Sequence, residues 1–502
     1  MSSFSGNKMD EIYRGDDKWT FPLIQNHIAL FQLPIPHDPN KLLEPSIGKP
    51  KWDGDHVRMP CDQNNVYHTL NFWGQKTVTN SQWDRIKTSL QRKHSSSENL
   101  EYAILTYNQD IKHQRFKTLH AFFKKLDENE SKSFFNQTLP KMIELALQLP
   151  EIIKCAIPLL KHGRNQSISL SQKQIACLLA NAFLCTFPCR NEYRSGEYRR
   201  YSSINFSELF TADGNQAIEK IRCIYNYFRR VCSQMPTGVV TFTRRSIPDA
   251  ELPPWGQIEK TFFDTLLHVA KDGKIEDSGK GLLQVDFANK FVGGGTLGRG
   301  CVQEEILFVI YPELICSRLF TECLGDNECM IIAGCERFSN YKGYASTFEW
   351  TDDYFDETPH DLFRRKRCAI VAIDAKQFSN KAQQYQEEML KRELNKAFIG
   401  FKYDMPGRAP GVATGKWGCG IFGGDKHLKS LLQLMACCIT DRPLVYYTFG
   451  DDQDRSDLLL IHEFLVKRGV KIGDLFTCLC HYNENGAEAH LYRFIIEYFT
   501  TQ

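Results

Sequence analysis

At 502 residues the chain is long enough for a large core and for two or three domains. Its 62 Lys and Arg nearly balance 60 Asp and Glu, for a formal net charge of +2. That excludes a global field drawing the chain to nucleic acid or an anionic membrane, so a polyanionic ligand has to be held locally.

The N-terminus, "MSSFSGNKMDEIYRGDDKW", mixes both charge signs and has no apolar h-region, so no secretory signal is expected. The most apolar early stretch, "MIELALQLPEIIKCAIPLL", is broken by prolines and charges and is not read as a membrane span. Residues 1–20 read as a flexible N-terminus. Residues 21–232 read as a helical accessory domain. Its clearest helix is "SQKQIACLLANAFLCTFP": Ser171 with Gln174 is a capping-box pattern, Ile175, Leu178, Leu179, Ala182 and Phe183 share one face, and Pro188 is the expected stop. "LPKMIELALQL" and "QAIEKIRCIYNYFRRV" have the same period, whereas "LQRKHSSSENLEY" reads as a surface loop. The 18 cysteines are scattered in apolar contexts, which suits reduced, buried thiols in an intracellular protein. The tight groupings, Cys185 with Cys189 and Cys478 with Cys480 and His481, lack the second pair a zinc site needs, so no metal is expected.

From residue 233 to 502 the texture changes. "GVVTFT", "GLLQVDF", "ECMIIAG", "RCAIVAIDA" and "LVYYTFG" read as buried strands, and helical patterns lie between them. This alternation predicts a three-layer α/β fold, with ligands beyond the carboxyl ends of the strands. Two glycine-rich loops fall there. The first carries Gly293, Gly294, Gly295, Gly298 and Gly300; the second is "GVATGKWGCGIFGGD", Gly411 to Asp425. Each leads into a helix and could surround a diphosphate with backbone N–H groups, or could be no more than a tight turn. A P-loop is disfavoured because Pro410 stands at the leading Gly and Trp417 at the Ser or Thr. "VGGGTLGRG" also misses the dinucleotide-binding phase. Gln303, Glu304 and Glu305 follow the first loop. Adjacent helical residues point about 100° apart, so at most one glutamate faces a substrate squarely. The plainer reading is an acidic first turn complementing the helix dipole.

"VDFANKFVGGGTLGRGCVQEEI" resembles the signature of the poly(ADP-ribose) glycohydrolases: three glycines, seven residues, then Gln-Glu-Glu. "QIACLLANAFLCTFP", "PTGVVTFTRRS", "ERFSNYKGYASTFEW", "AIVAIDA", "RELNKAFIGF", "WGCGIFGGD" and "VYYTFGD" are similar to the same family, in the same order, over most of the chain. The resemblance implies a macrodomain-like three-layer α/β/α core with a mixed sheet, preceded by an all-α accessory domain. It also implies a chain close to a bare catalytic unit, lacking the long N-terminal extension of some relatives.

By the same resemblance Glu305 is the general acid, Glu304 binds ribose oxygens, and Asp286 is a further active-site carboxylate. Gln303 and Asn289 match substrate contacts, and Gly293, Gly294 and Gly295 would cradle the diphosphate. Ile275 and Glu276 match the adenine-recognition pair. Tyr344 matches a tyrosine that closes over the ligand, and Phe449 a ring that stacks on adenine. Lys416, Trp417, Gly418, Cys419, Gly420 and Ile421 match a second phosphate-and-ribose loop, with Lys416 where relatives usually carry Asn. The implied activity is hydrolysis of ribose–ribose O-glycosidic bonds in poly(ADP-ribose), releasing ADP-ribose. No cofactor or metal is implied, and poly(ADP-ribosyl)ated proteins are the partners. A monomer acting in the DNA damage response, in nucleus or cytoplasm, is expected. The chemistry agrees: glycoside cleavage needs an acid for the leaving oxygen, and the diphosphate can stabilise the developing cation. A macrodomain reader that binds ADP-ribose without cleaving it is the alternative, and a scaffold with ligand-free turns a third. Tyr341 reads as a structural neighbour, Cys419 as loop packing rather than a nucleophile, and Arg364 to Arg367 as a solvated basic loop.

Overall fold

The computed structural model describes residues 6–12, 21–70, 76–188, 199–404, 409–484 and 490–501. In chain order its strands are β1 (His27–Ala29), β2 (Val66–Leu70), β3 (Lys76–Ser81), β4 (Gln166–Ser171), β5 (Val239–Ser246), β6 (Leu267–Ala270), β7 (Leu283–Ala288), β8 (Glu328–Ala333), β9 (Ser339–Lys342), β10 (Glu349–Asp353), β11 (Ala369–Asp374), β12 (Val412–Thr414) and β13 (Leu444–Tyr447). One mixed sheet takes the order β1-β4-β5-β8-β11-β7-β12-β13-β6, while β2/β3 and β9/β10 form separate hairpins. The pairs β4/β5, β5/β8 and β8/β11 are antiparallel, and from β11 through β7, β12 and β13 to β6 the strands run parallel. Parallel strands need crossovers, and the helices supplying them cover the sheet.

Strand β11 shows why the strands read as unbroken apolar runs. Ala369, Val371 and Ile373 enter one core, Ile370 and Ala372 the other, and all six residues of the strand are buried. One core is shared with the helices Gln172–Phe183 and Asn215–Ser233, and the other with Glu387–Phe401 and Lys426–Ile439. The Ser171–Gln174 capping box is present.

Several local readings change. The helical region also supplies β1 and β4 to the sheet, β4 pairing with β5 from Gln166 opposite Arg244 to Ser171 opposite Val239. Its "QSISLS" alternates in period two: Ile168 and Leu170 enter the core, while buried Ser169 bonds to Thr241 at 2.7 Å. Serines made this buried strand look polar. The Ser-rich stretch before residue 107 is not all loop, because Ser96 caps the helix Ser97–Tyr107 by accepting from the Asn99 N–H. The helix Gln172–Phe183 ends before Pro188, the chain turning at Cys185 with φ +52°.

The described part of the N-terminal stretch is docked rather than free. Asn7 exchanges hydrogen bonds with the Leu267 backbone, and Ile12 packs with Ile275, Ala413 and Tyr447. The basic run is not a solvated loop. Arg364 donates to the carbonyls of Pro36, Asp38 and Lys41, and buried Arg365 pairs with Asp361, so both guanidinium groups tie segments together. The described cysteines are free thiols; Cys189 lies outside the described residues.

Candidate active site

Beyond Gln284, β7 has no neighbour on its β12 side, since that pairing stops at Ala413 opposite Gln284. The Gln303 side chain takes over as a strand would. Its Oε1 accepts the Phe287 N–H at 2.8 Å and its Nε2 donates to the Val285 carbonyl at 3.1 Å. This locks the start of the helix Gln303–Ile310 to β7.

The next two side chains hold the first glycine loop. Glu304 accepts from the N–H groups of Gly293 at 2.6 Å and Asn289 at 2.9 Å. Glu305 accepts from Gly295 at 2.8 Å and, through its other oxygen, from Val302 at 2.9 Å. The close approach explains the glycines. A Cβ on Gly294, where φ is +39°, would sit 2.6 Å from oxygens of both carboxylates, and one on Gly300 would sit 2.6 Å from Glu305 Oε1. The third N–H, from Gly294, donates to Phe291 O at 2.9 Å. The expected diphosphate cradle on Gly293, Gly294 and Gly295 is therefore not what these donors form: two buried carboxylates need them. These three glycines also do not line the cleft.

The carbonyls of the loop turn the other way, to two buried cations that the sequence reading missed. Lys220, from the helix Asn215–Ser233, donates to Gly295, Thr296, Gly298 and Gly300 at 2.5 to 3.2 Å. Arg318 donates to Gly294 O at 2.8 Å. A signal for Lys220 existed: it is a lone lysine on the stripe Ala217, Ile221, Ile224, Phe228. Beneath the glutamates, Asp286 is fully buried with both carboxyl oxygens unpaired among the described residues. Burial, then the nearby Glu305 charge, pushes its carboxyl well above the usual carboxylate range. Burial, then Asp286 and Glu305, does the same to Glu304. Asp286 is not among the residues that line the cleft.

A cleft of about 760 Å³ opens over this floor. Ile275, Glu276, Asn289, Gln303, Glu304, Glu305, Tyr344, Lys416, Gly418, Cys419, Gly420, Ile421 and Phe449 all line it, brought together from six separate stretches of chain. Tyr344 (53% exposed) and Phe449 (45%) present free ring surface. Phe449 has φ +54°, an unusual backbone state for a bulky residue. The wall also contains Lys274, Phe287, Phe422 and Tyr341, which the sequence reading left out of the site. Tyr341 donates to the Glu276 carboxylate, and Lys274 Nζ lies 3.6 Å from the centre of its ring. Burial raises the Glu276 carboxyl above its ordinary value.

Trp417 is the exception in the second loop. It is fully buried, its indole N–H donates to Ile373 O at 2.9 Å, and Lys429 Nζ sits 4.2 Å from its ring centre. It anchors the loop to β11 and lies outside the cleft lining. Lys416 is 2.7 Å from the Asp454 carboxylate and 3.4 Å from that of Asp451. Burial pushes the Cys419 thiol up to about 12, which leaves it protonated and a poor nucleophile. Among the described residues, one group with metal-ligand character, His427, Asp457 and His490, places its ligand atoms within 4.8 Å of one another, outside the cleft lining. No described helix is long and apolar enough to cross a membrane.

Comparison with known proteins agrees with this architecture. Residues 126–244 match the helical-domain model of poly(ADP-ribose) glycohydrolase, and residues 252–456 match that family's macro-domain-fold model. Poly(ADP-ribose) glycohydrolase 1 of Arabidopsis thaliana is 34% identical over 446 residues, covering 71% of this chain and 80% of the relative. Poly(ADP-ribose) glycohydrolase 2 of Caenorhabditis elegans is 30% identical over 407 residues, covering 78% and 80%. With two family models placed in tandem on the helical and sheet-bearing parts, and relatives matched along most of their length, the chain belongs to the poly(ADP-ribose) glycohydrolase family.

Proposed function

We propose that this chain hydrolyses the ribose–ribose O-glycosidic bonds of poly(ADP-ribose) and releases ADP-ribose, with Glu305 as the general acid. The observation that carries the assignment is that Glu305 lines the cleft while its carboxylate is gripped on both oxygens by backbone N–H groups. A proton donor must be held where the leaving oxygen will be, and this grip removes its rotational freedom. Glu305 protonates the departing ribose oxygen as the anomeric C–O bond breaks, leaving an oxocarbenium-like centre. Water adds to that carbon and returns its proton to Glu305, so the side chain ends as it began.

Glu304, fixed by Gly293 and Asn289, keeps lone pairs for ribose hydroxyls. The diphosphate falls to the second loop, where Gly418, Cys419, Gly420 and Ile421 line the cleft. Adenine lies against Ile275 and Glu276, with Phe449 stacking on it and Tyr344 closing over the ligand. Auto-modified, polymer-bearing proteins are the natural substrates on this reading.

The deciding experiment measures free ADP-ribose released from protein-bound poly(ADP-ribose) with chelator present, wild type beside Glu305→Gln. Release by the wild type alone supports the hydrolase and its acid. No release by either, with ADP-ribose still bound, means a reader.

A further inference from the structure

Lys220 sits on the helix Asn215–Ser233 and is fully buried. Its ammonium meets four carbonyl oxygens of one short loop: Gly295 at 3.2 Å, Thr296 at 2.9 Å, Gly298 at 2.8 Å and Gly300 at 2.5 Å. Three N–H donors serve four acceptors, so at least one proton is shared. Four carbonyl dipoles aimed at one point repel each other unless a cation sits there. A compact ammonium with rotatable donors suits that point better than a planar guanidinium.

The same loop meets the proposed acid. The Gly295 N–H holds Glu305 Oε1 at 2.8 Å, and Gly300 approaches it so closely that a Cβ would stand 2.6 Å away. The loop's inner edge thus grips Lys220 and its other edge grips Glu305. Glu208 comes against Gly298, and a Cβ there would lie 2.5 Å from its carboxylate. Cys301, Arg318, Glu305 and Glu208 are the titratable neighbours of the ammonium, and burial lowers it to about 8. Lys220 does not line the cleft.

We propose that Lys220 is a positioning residue for the hydrolysis: by gathering the carbonyls of Gly295, Thr296, Gly298 and Gly300 it sets the curve of the loop that holds Glu305 in the cleft. The helical part of the chain then contributes to catalysis without touching substrate. This rests on the reading of Glu305 as the acid.

The test compares wild type with Lys220→Met, Lys220→Gln and Lys220→Arg. It reads kcat for ADP-ribose release from the polymer, together with affinity and stoichiometry for ADP-ribose by calorimetry. A displaced acid costs about a hundredfold in kcat. We expect that loss in Lys220→Met with one ADP-ribose still bound at unchanged affinity, and partial recovery in Lys220→Arg. Unchanged kcat in Lys220→Met overturns the proposal, as does loss of binding in step with kcat, which marks a purely structural lysine. Should Lys220→Met not fold, the Gln and Arg variants decide, and full activity in both overturns it. An active wild type with equally active variants refutes this inference alone, whereas an inactive wild type refutes the hydrolase reading and this inference with it.

Discussion

Glu305 and Gly295 are joined by a 2.8 Å hydrogen bond from the glycine N–H to one carboxylate oxygen, while the other oxygen holds the Val302 N–H at 2.9 Å. The side chain therefore bridges the glycine loop and the start of its own helix, and its length matters as much as its charge. Glu305→Asp keeps the carboxylate but is one methylene too short for both bonds. We expect kcat to fall by about 10²–10⁴ in Glu305→Asp and Glu305→Gln alike, with ADP-ribose binding kept. Steady-state turnover beside calorimetry checks this, and near-normal kcat in Glu305→Asp would remove the positional argument.

Gly300 tests the packing side of the same contact. An added methyl would lie 2.6 Å from Glu305 Oε1, 2.8 Å from its Cδ and 2.9 Å from Gly295 Cα. Neither the backbone nor a carboxylate bonded at both ends can give way cheaply. Gly300→Ala should lower kcat by about tenfold to a hundredfold in protein that still binds ADP-ribose. A fully active Gly300→Ala enzyme would show that the glycine serves only the turn.

Phe449 separates binding from chemistry. The residue is 45% exposed, lines the cleft and carries no group that could transfer a proton. Base–aromatic stacking contributes about 1–3 kcal/mol. Phe449→Ala should therefore weaken ADP-ribose binding by roughly tenfold or more while kcat at saturation changes little. Unaltered affinity would move adenine away from this ring.

The Arg244–Glu328 pair predicts acid sensitivity remote from the cleft. Both side chains are buried, and Glu328 also accepts from the N–H groups of Gly163 and Gly325 at 2.6 Å. These partners, with the Arg244 guanidinium foremost, outweigh the cost of burial and hold the Glu328 carboxyl at about 2, below its ordinary 4.5. A depressed carboxyl stabilises the fold above the unfolded value and loses that effect as pH falls from 4.5 toward 2. Glu328→Gln strands the Arg244 charge and should cost about 3–5 kcal/mol near neutral pH. Denaturant titrations should show the gap between variant and wild type narrowing across that acid window; a constant gap would remove Glu328 from the acid response.

Features that depend on neighbours along the chain are legible from the residues alone. Ser171 and Gln174 are three residues apart, so their capping box follows from helical geometry alone. The apolar runs at β5, β7, β8, β11 and β13 announced strands buried on both faces. Gly293, Gly294 and Gly295 followed by Gln303, Glu304 and Glu305 pointed to a tightly packed loop before a helix, since glycines in such number require close approach by something. What approaches them depends on groups brought together by folding. The carboxylates of Glu304 and Glu305 fold back on the loop and take its N–H groups. Lys220, about 75 residues upstream, takes its carbonyls. The same holds for Trp417, drawn into the core by the Ile373 carbonyl, for Arg364 and Arg365, and for β4, a strand whose serines look polar until Thr241 lies opposite. Burial and hydrogen-bond partners across long sequence separations are properties of the folded surface, and a local pattern carries no record of which group will face which.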